Sequence, residues 1–147
     1  MKNEKLTKIE KREIIIKKVQ DKIMYLPKED LEFICDSLDI KYYCDWKGEI
    51  LKKIHEAGKK KKMIYMKIYE MYKDESFGMT SKEVEEILNI TSYKRKELEK
   101  YNILEVLYTY FVKMYGRKVV APVYVTDVVL DLVGEDTDKL LKEERKS

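Results

Sequence analysis

MTSKEVEEILNITSYKRKELEKYNILEV, residues 79–106, is the stretch on which the reading of this chain turns. Thr80 and Glu83 have capping-box spacing: the hydroxyl meets the backbone N–H three residues on, and the carboxylate reaches back. Val84, Ile87 and Leu88 then recur on one helical face. Asn89 can end that helix in the left-handed region, and Thr91 can cap the next. Two short helices joined by so tight a turn must cross steeply, which is helix-turn-helix geometry.

The second helix, residues 92–101, is too basic to be wholly buried. Leu98 and Tyr101 can face inward, whereas Ser92, Lys94, Arg95, Lys96 and Lys100 are candidates to face out. Free N–H groups at its start favour phosphate. In such motifs the second helix enters the major groove, where Arg and Lys donate to guanine or to phosphate.

Downstream of Asn102 the apolar period changes from 3.6 to 2. Val106, Tyr108, Tyr110, Val112 and Met114 alternate with Leu107, Thr109, Phe111 and Lys113, and Gly116 supplies a turn. Residues 119–125 form a second β-rich run, in which Pro122 argues for an edge position. A hairpin is therefore expected, with Lys113, Arg117 and Lys118 near its tip. Thr126 and Asp127 offer an N-cap to a closing helix containing Val128, Val129 and Leu132, which Gly134 ends. Residues 134–147 read as a flexible tail.

Residues 79–133 resemble the winged helices of the MerR and excisionase type. Those families read T-x-x-E-V-A-x-L-L-G-V along the first helix; Thr80, Glu83, Val84, Ile87, Leu88, Asn89 and Ile90 match, with Asn89 for the usual glycine. GRKVVAPVYVTDVVLDL is similar to a wing strand running into a short S/T-D-V-x-x-x-L helix. Arg95 and Glu99 stand where the families usually have apolar residues, and the hairpin is longer than in most excisionases. Tyr93 is accordingly expected to take the inward role, which would turn Arg95 toward DNA.

Upstream, residues 4–25 read as a helix in which Ile9, Ile16 and Ile23 recur every seven residues. It either docks on the rest of the chain or forms a homodimer contact. Pro27 opens a further helix with Leu31, Ile34, Cys35 and Leu38 on one face. KYYCDWK lacks helical periodicity, and EILKKIHE is again helical. Residues 27–56 resemble the helix–extended loop–helix modules of the SAP and Rho-N-terminal type, with Leu31, Ile34, Leu38, Ile40, Lys47, Ile50, Leu51 and Ile54 in matching positions. That resemblance implies nucleic-acid contacts with little sequence preference, through Lys41, Lys47, Lys52 and Lys53. Tyr42, Tyr43 and Trp46 either pack between the two helices or stack on a base. Lys59, Lys60, Lys61 and Lys62 are a phosphate-binding junction or a solubilising linker. A connecting helix at 61–73 is expected to present Ile64, Ile68, Met71 and Tyr72 on one face, while Tyr65, Tyr69 and Tyr72 form a stripe of core type.

The chain has 147 residues, 44% hydrophobic and 40% charged, with a formal net charge of +3. It can form a core, and its total charge is too small to argue for a polyanion without knowing its distribution. Five segments follow: an N-terminal helix (1–26), the helix–loop–helix (27–56), a linker and connecting helix (57–78), the winged helix-turn-helix (79–133) and the tail (134–147). The fold class expected is mostly α with one β-hairpin, an α+β arrangement. No signal peptide or membrane span is legible, so a cytoplasmic location is the default.

Cys35, Cys44 and the single histidine, His55, lack zinc-ligand spacing. No Gly-rich phosphate loop and no nucleophile–base arrangement is visible. Neither an active site nor a small-molecule cofactor is expected. The expected function is non-enzymatic binding of double-stranded DNA, as a transcriptional regulator or an accessory factor of a mobile element. The competing class is a protein-interaction module, such as a phage-encoded inhibitor on a winged-helix scaffold.

Overall fold

The computed structural model describes residues 4–146. Among them are eight α-helices and a three-stranded antiparallel sheet, an α+β fold. The chain divides into two compact units: residues 9–77, and residues 78–146 together with 4–8.

The first unit is helical. α1 (Lys8–Lys22) runs into a single 3-10 turn at Ile23–Tyr25. α2 (Lys28–Leu38) follows Pro27 and ends at Asp39, whose φ of 54° and ψ of 43° are left-handed. Asp tolerates that conformation better than most residues. An irregular segment, residues 39–46, leads to α3 (Lys47–Lys60), and α4 (Met63–Tyr72) follows almost at once. α2 packs on α3, and α3 on α4. Val19, Ile23, Leu31, Ile34, Cys35, Ile50, Ile54, Ile68 and Tyr69 are buried there.

Several expectations change in this unit. Residues 57–60 are not linker: α3 continues through them, and its Gly58 is buried against the Tyr65 ring, which lies 2.4 Å from where a Cβ would stand. Lys59 and Lys60 then lie in its last turn, where cations complement the helix dipole. The inward face of α4 is Tyr65, Ile68, Tyr69 and Tyr72, with Ile64 and Met71 only half-buried. Ile16 and Ile23 are buried in the chain's own core, while Ile9 of the same seven-residue repeat is exposed. Phe77, in the turn after α4, is buried with its ring centroid 6.2 Å from that of Tyr69.

The second unit begins with β1 (Met79–Thr80) and α5 (Ser81–Leu88). The capping box is formed: Glu83 N–H donates to Thr80 Oγ1 over 3.3 Å, and Thr80 N–H donates to Glu83 Oε1 over 3.3 Å. Asn89 closes α5 at φ 53° and ψ 55°, and Thr91 caps α6 (Ser92–Lys100) by accepting from Lys94 N–H. Asn102, also at positive φ, turns the chain into β2 (Val106–Met114). Tyr115 and Gly116 have φ of 53° and 77°, the two positive values a tight primed turn needs, and β3 (Arg117–Tyr124) returns.

The sheet order is β1-β3-β2, so a third strand accompanies the hairpin. β1 pairs only with Val123 and Tyr124 of β3. Pro122, lacking an N–H, sits just beyond that short pairing, at a free edge. α7 (Thr126–Leu132) starts one residue earlier than the Thr126 cap implies: Val125 holds the N-cap position without a side-chain hydrogen bond.

Residues 137–146 are not a flexible tail. They form α8 (Thr137–Lys146), which packs on α6 and buries Leu141. Asp136 Oδ1 accepts from Lys139 N–H over 3.2 Å at its start. A short amphipathic helix held by one leucine and a side-chain cap escapes a reading dominated by its charge. Ser147 lies outside the described residues. No helix among the described residues is long and apolar enough to cross a membrane.

Candidate nucleic-acid interface

The α5–turn–α6 element presents α6 by two local devices, the left-handed Asn89 and the Thr91 cap. Val84 and Leu98 fix the pair from within. On α6, Ser92, Tyr93, Lys96 and Lys100 are exposed, at spacings that place them along one stripe. Lys100 lies with its ammonium 5.4 Å from the centroid of the Tyr101 ring.

Arg95 is not part of that stripe. It is 7% exposed, whereas Tyr93 is 72% exposed, the reverse of the expected rotation. Arg95 Nε donates to Glu85 over 2.7 Å, and an Nη1 hydrogen goes to the Tyr124 hydroxyl over 2.5 Å. That hydroxyl donates in turn to Glu99. A buried guanidinium is held here because two carboxylates and a phenol from α5, α6 and β3 surround it. Burial works to lower the Arg95 pKa, but the Glu85 and Tyr124 hydrogen bonds outweigh it and leave the value raised. Burial, then the Glu99 hydrogen bond, push the Tyr124 phenol up to about 12 against the opposing Arg95. No spacing or periodicity in the sequence pairs Glu85 or Tyr124 with Arg95.

Lys94 is half-buried and committed elsewhere, its Nζ 2.7 Å from Asp138 of α8. Arg145 of α8 likewise meets Glu97 at 3.1 Å, so α8 flanks one side of α6. The exposed stripe is the other part of the helix surface.

Lys113, Arg117 and Lys118 are all exposed, and Lys113 stands directly across the ladder from Lys118. Like charges in that position repel. Among the described residues no ion pair relieves them. The tip is thus a compact positive site. Tyr115, at the turn, is 98% exposed.

In the helical unit, Lys41, Lys52, Lys59, Lys60, Lys61 and Lys62 are exposed, and Lys47 and Lys53 are half-buried. Lys53 lies 3.4 Å from Glu56. Of the three loop aromatics, only Tyr42 is partly enclosed, donating to Glu32 over 3.4 Å. Tyr43 and Trp46 are 89% and 73% exposed. Leu31, Ile34, Ile50 and Ile54 already fill the space between α2 and α3, leaving these rings outside.

His55 is half-buried with Nδ1 2.8 Å from the Tyr65 hydroxyl, and burial lowers its pKa. Cys35 is a buried free thiol, pushed up to about 11 by burial and then by Asp36 and Glu32, whereas Cys44 is only half-buried. Among the described residues no group of three His, Cys, Asp or Glu could hold a metal ion.

Comparison with protein-family models, with curated proteins and with solved structures finds nothing that matches this chain.

Proposed function

We propose that this chain is a non-enzymatic protein that binds double-stranded DNA, serving as a transcriptional regulator or as an accessory factor in recombination, excision or plasmid maintenance of a mobile element. The observation that carries the reading is the exposed stripe of Ser92, Tyr93, Lys96 and Lys100 on the second helix of a tight helix–turn–helix, with a positive hairpin tip in the same unit. The α6 stripe would read the major groove, and Lys113, Arg117 and Lys118 would lie against phosphate. Arg95 has no part in this: its role is to hold α6 against α5 and β3. Lys41, Lys52 and the α3 C-terminal lysines would add contacts without sequence preference. The resemblance to MerR-like and excisionase-like winged helices supports the same reading.

A second reading, a protein-interaction module, is favoured by one observation. Tyr108, Tyr110, Phe111, Met114, Val119 and Val120 leave the hairpin apolar and exposed. An electrophoretic shift with genomic DNA fragments across a salt series separates the two. DNA binding requires a complex at low salt that weakens steeply as salt rises, because bound phosphates release counterions. A folded sample that shifts no fragment at low salt sinks the DNA reading and leaves the protein-interaction one.

A further inference from the structure

We propose that β2 is a homodimer seam, pairing antiparallel with β2 of a second copy across a two-fold axis at Phe111. The inference does not depend on DNA binding. Among the described residues the sheet order is β1-β3-β2, so one whole edge of β2 is unpaired. From Tyr108 to Met114 its ladder with β3 is regular, the irregularity being confined to Val106–Tyr108. Open edges of this kind are normally guarded by charge, proline or a bulge. The free part of the β3 edge has such guards: Arg117, Lys118 and Pro122. The regular part of β2 has one charge, Lys113, in seven residues, while Tyr108, Tyr110, Phe111 and Met114 are all exposed.

A second copy of the chain fits this edge better than an unrelated strand because the sequence is self-complementary in one register. Only alternate residues turn their N–H and C=O outward, so a two-fold antiparallel pair must place its axis on a residue. Full overlap of residues 108–114 places it on Phe111. Tyr108 then faces Met114, Thr109 faces Lys113, Tyr110 faces Val112, and Phe111 faces its own copy. Every apolar side chain meets an apolar one on the same face. The two Lys113 residues lie four positions apart along the seam, about 14 Å at strand rise. That exceeds the screening length of about 8–10 Å, so their repulsion is small. On the diagonal, each Lys113 reaches the opposite Phe111 ring. The result is a continuous six-stranded sheet.

Sedimentation at high micromolar concentration tests the state, and cysteine cross-linking tests the register. The unmodified chain is expected to sediment as a dimer. Phe111→Lys, which places two ammonium groups directly opposite, is expected to halve the mass while leaving the circular dichroism spectrum intact, since Phe111 is exposed. In a Cys44→Ser background, Phe111→Cys is expected to form an intermolecular disulfide, since facing residues lie about 4.5–5.5 Å apart. Lys113→Cys alone is expected to stay reduced, whereas a mixture of Lys113→Cys and Thr109→Cys chains is expected to cross-link. A monomeric unmodified chain overturns the proposal and leaves the edge for another protein. So does a dimer that survives Phe111→Lys, or one in which Lys113→Cys links as readily as Phe111→Cys.

Discussion

Arg95 and Tyr124, 29 residues apart in sequence, meet in the interior of the sheet-bearing unit, the guanidinium donating to the phenol over 2.5 Å. Through Glu85 and Glu99 the pair ties α5, α6 and β3 into one polar cluster. Removing the guanidinium strands the Glu85 carboxylate in a half-buried site. Breaking a fully buried pair costs about 3–5 kcal/mol, and the partial exposure of Glu85 brings the expected cost of Arg95→Ala to about 2–3 kcal/mol. Arg95→Lys is expected to recover less than half of that, because a single ammonium cannot span both partners as the planar fork does. Urea unfolding midpoints of the three proteins check this; an Arg95→Ala chain as stable as its parent would refute it.

Tyr124 gives the same cluster an alkaline signature. Its folded value of about 12 lies above the ordinary value of about 10 for an unfolded tyrosine. The native state therefore keeps a proton that the unfolded chain releases between those values. Its contribution to stability is fully present below about pH 10 and is lost as pH rises toward about 12. Tyr42, Tyr65 and Tyr72 are raised too, so part of the slope remains without Tyr124. Tyr124→Phe is expected to flatten the fall in unfolding midpoint between pH 10 and 12. An unchanged slope would show that this phenol is not held protonated.

What could be read from the sequence was local. The Thr80–Glu83 box, left-handed Asn89, the Thr91 cap and the turn at Gly116 each involve residues within four positions, where backbone geometry dictates residue type. The orientation of α6 was not legible. Arg95 and Tyr93 compete for one inward position, and hydrophobicity awards it to Tyr93. What decides it is Glu85 and Tyr124, contributed by α5 and β3, and pattern alone cannot bring those to the same point. Trp46 teaches the same lesson in reverse: a large aromatic beside an apolar helix face suggests packing, but smaller residues had already filled the gap. β1 is too short to show any period at all.

Two glycines of α3 make opposite predictions. Among the described residues nothing stands within 4 Å of where a Cβ on Gly48 would lie, whereas one on Gly58 would come within 2.4 Å of the Tyr65 ring. Gly48→Ala is therefore expected to stabilise by about 0.4–1 kcal/mol, by restricting the unfolded chain. Gly58→Ala is expected to destabilise despite the better helix propensity of alanine, because the ring is buried against it and cannot retreat without disturbing its neighbours. Thermal unfolding of both variants is the check, and a stabilised Gly58→Ala would mean that α3 and α4 are not packed this closely.

His55 is the only histidine in the chain, so one proton resonance reports it. Burial lowers its pKa, and with the ring neutral Nδ1 can accept from the Tyr65 hydroxyl at 2.8 Å. A folded value below about 6.5 means that the unfolded state takes up the proton first as pH falls. Stability is present above about pH 6.5 and is lost below it, until the folded value is passed. The NMR titration midpoint is expected below 6.5, and His55→Phe is expected to remove this acid-side loss. A midpoint at or above 6.5 would place the imidazole in water.

The last prediction separates reading from anchoring under the DNA proposal. Lys96 lies on the exposed stripe of α6, whereas Lys94 is held by Asp138 and Arg95 is buried. If Lys96 donates to a base edge, Lys96→Ala should cost about 1–3 kcal/mol on a selected site and much less on random DNA. Arg117 stands beside the mutually repelling Lys113 and Lys118 at the hairpin tip, a charge arrangement that phosphate would relieve. Arg117→Ala should weaken selected and random DNA about equally and lower the salt slope by about one unit. Lys94→Ala should do less than either, because its ammonium already has a carboxylate. Binding isotherms on both DNAs at several salt concentrations give all three answers. Equal losses for Lys96→Ala on the two DNAs would make α6 an anchor rather than a reader, and a Lys94→Ala loss exceeding that of Lys96→Ala would mean that α8 leaves α6 when DNA binds.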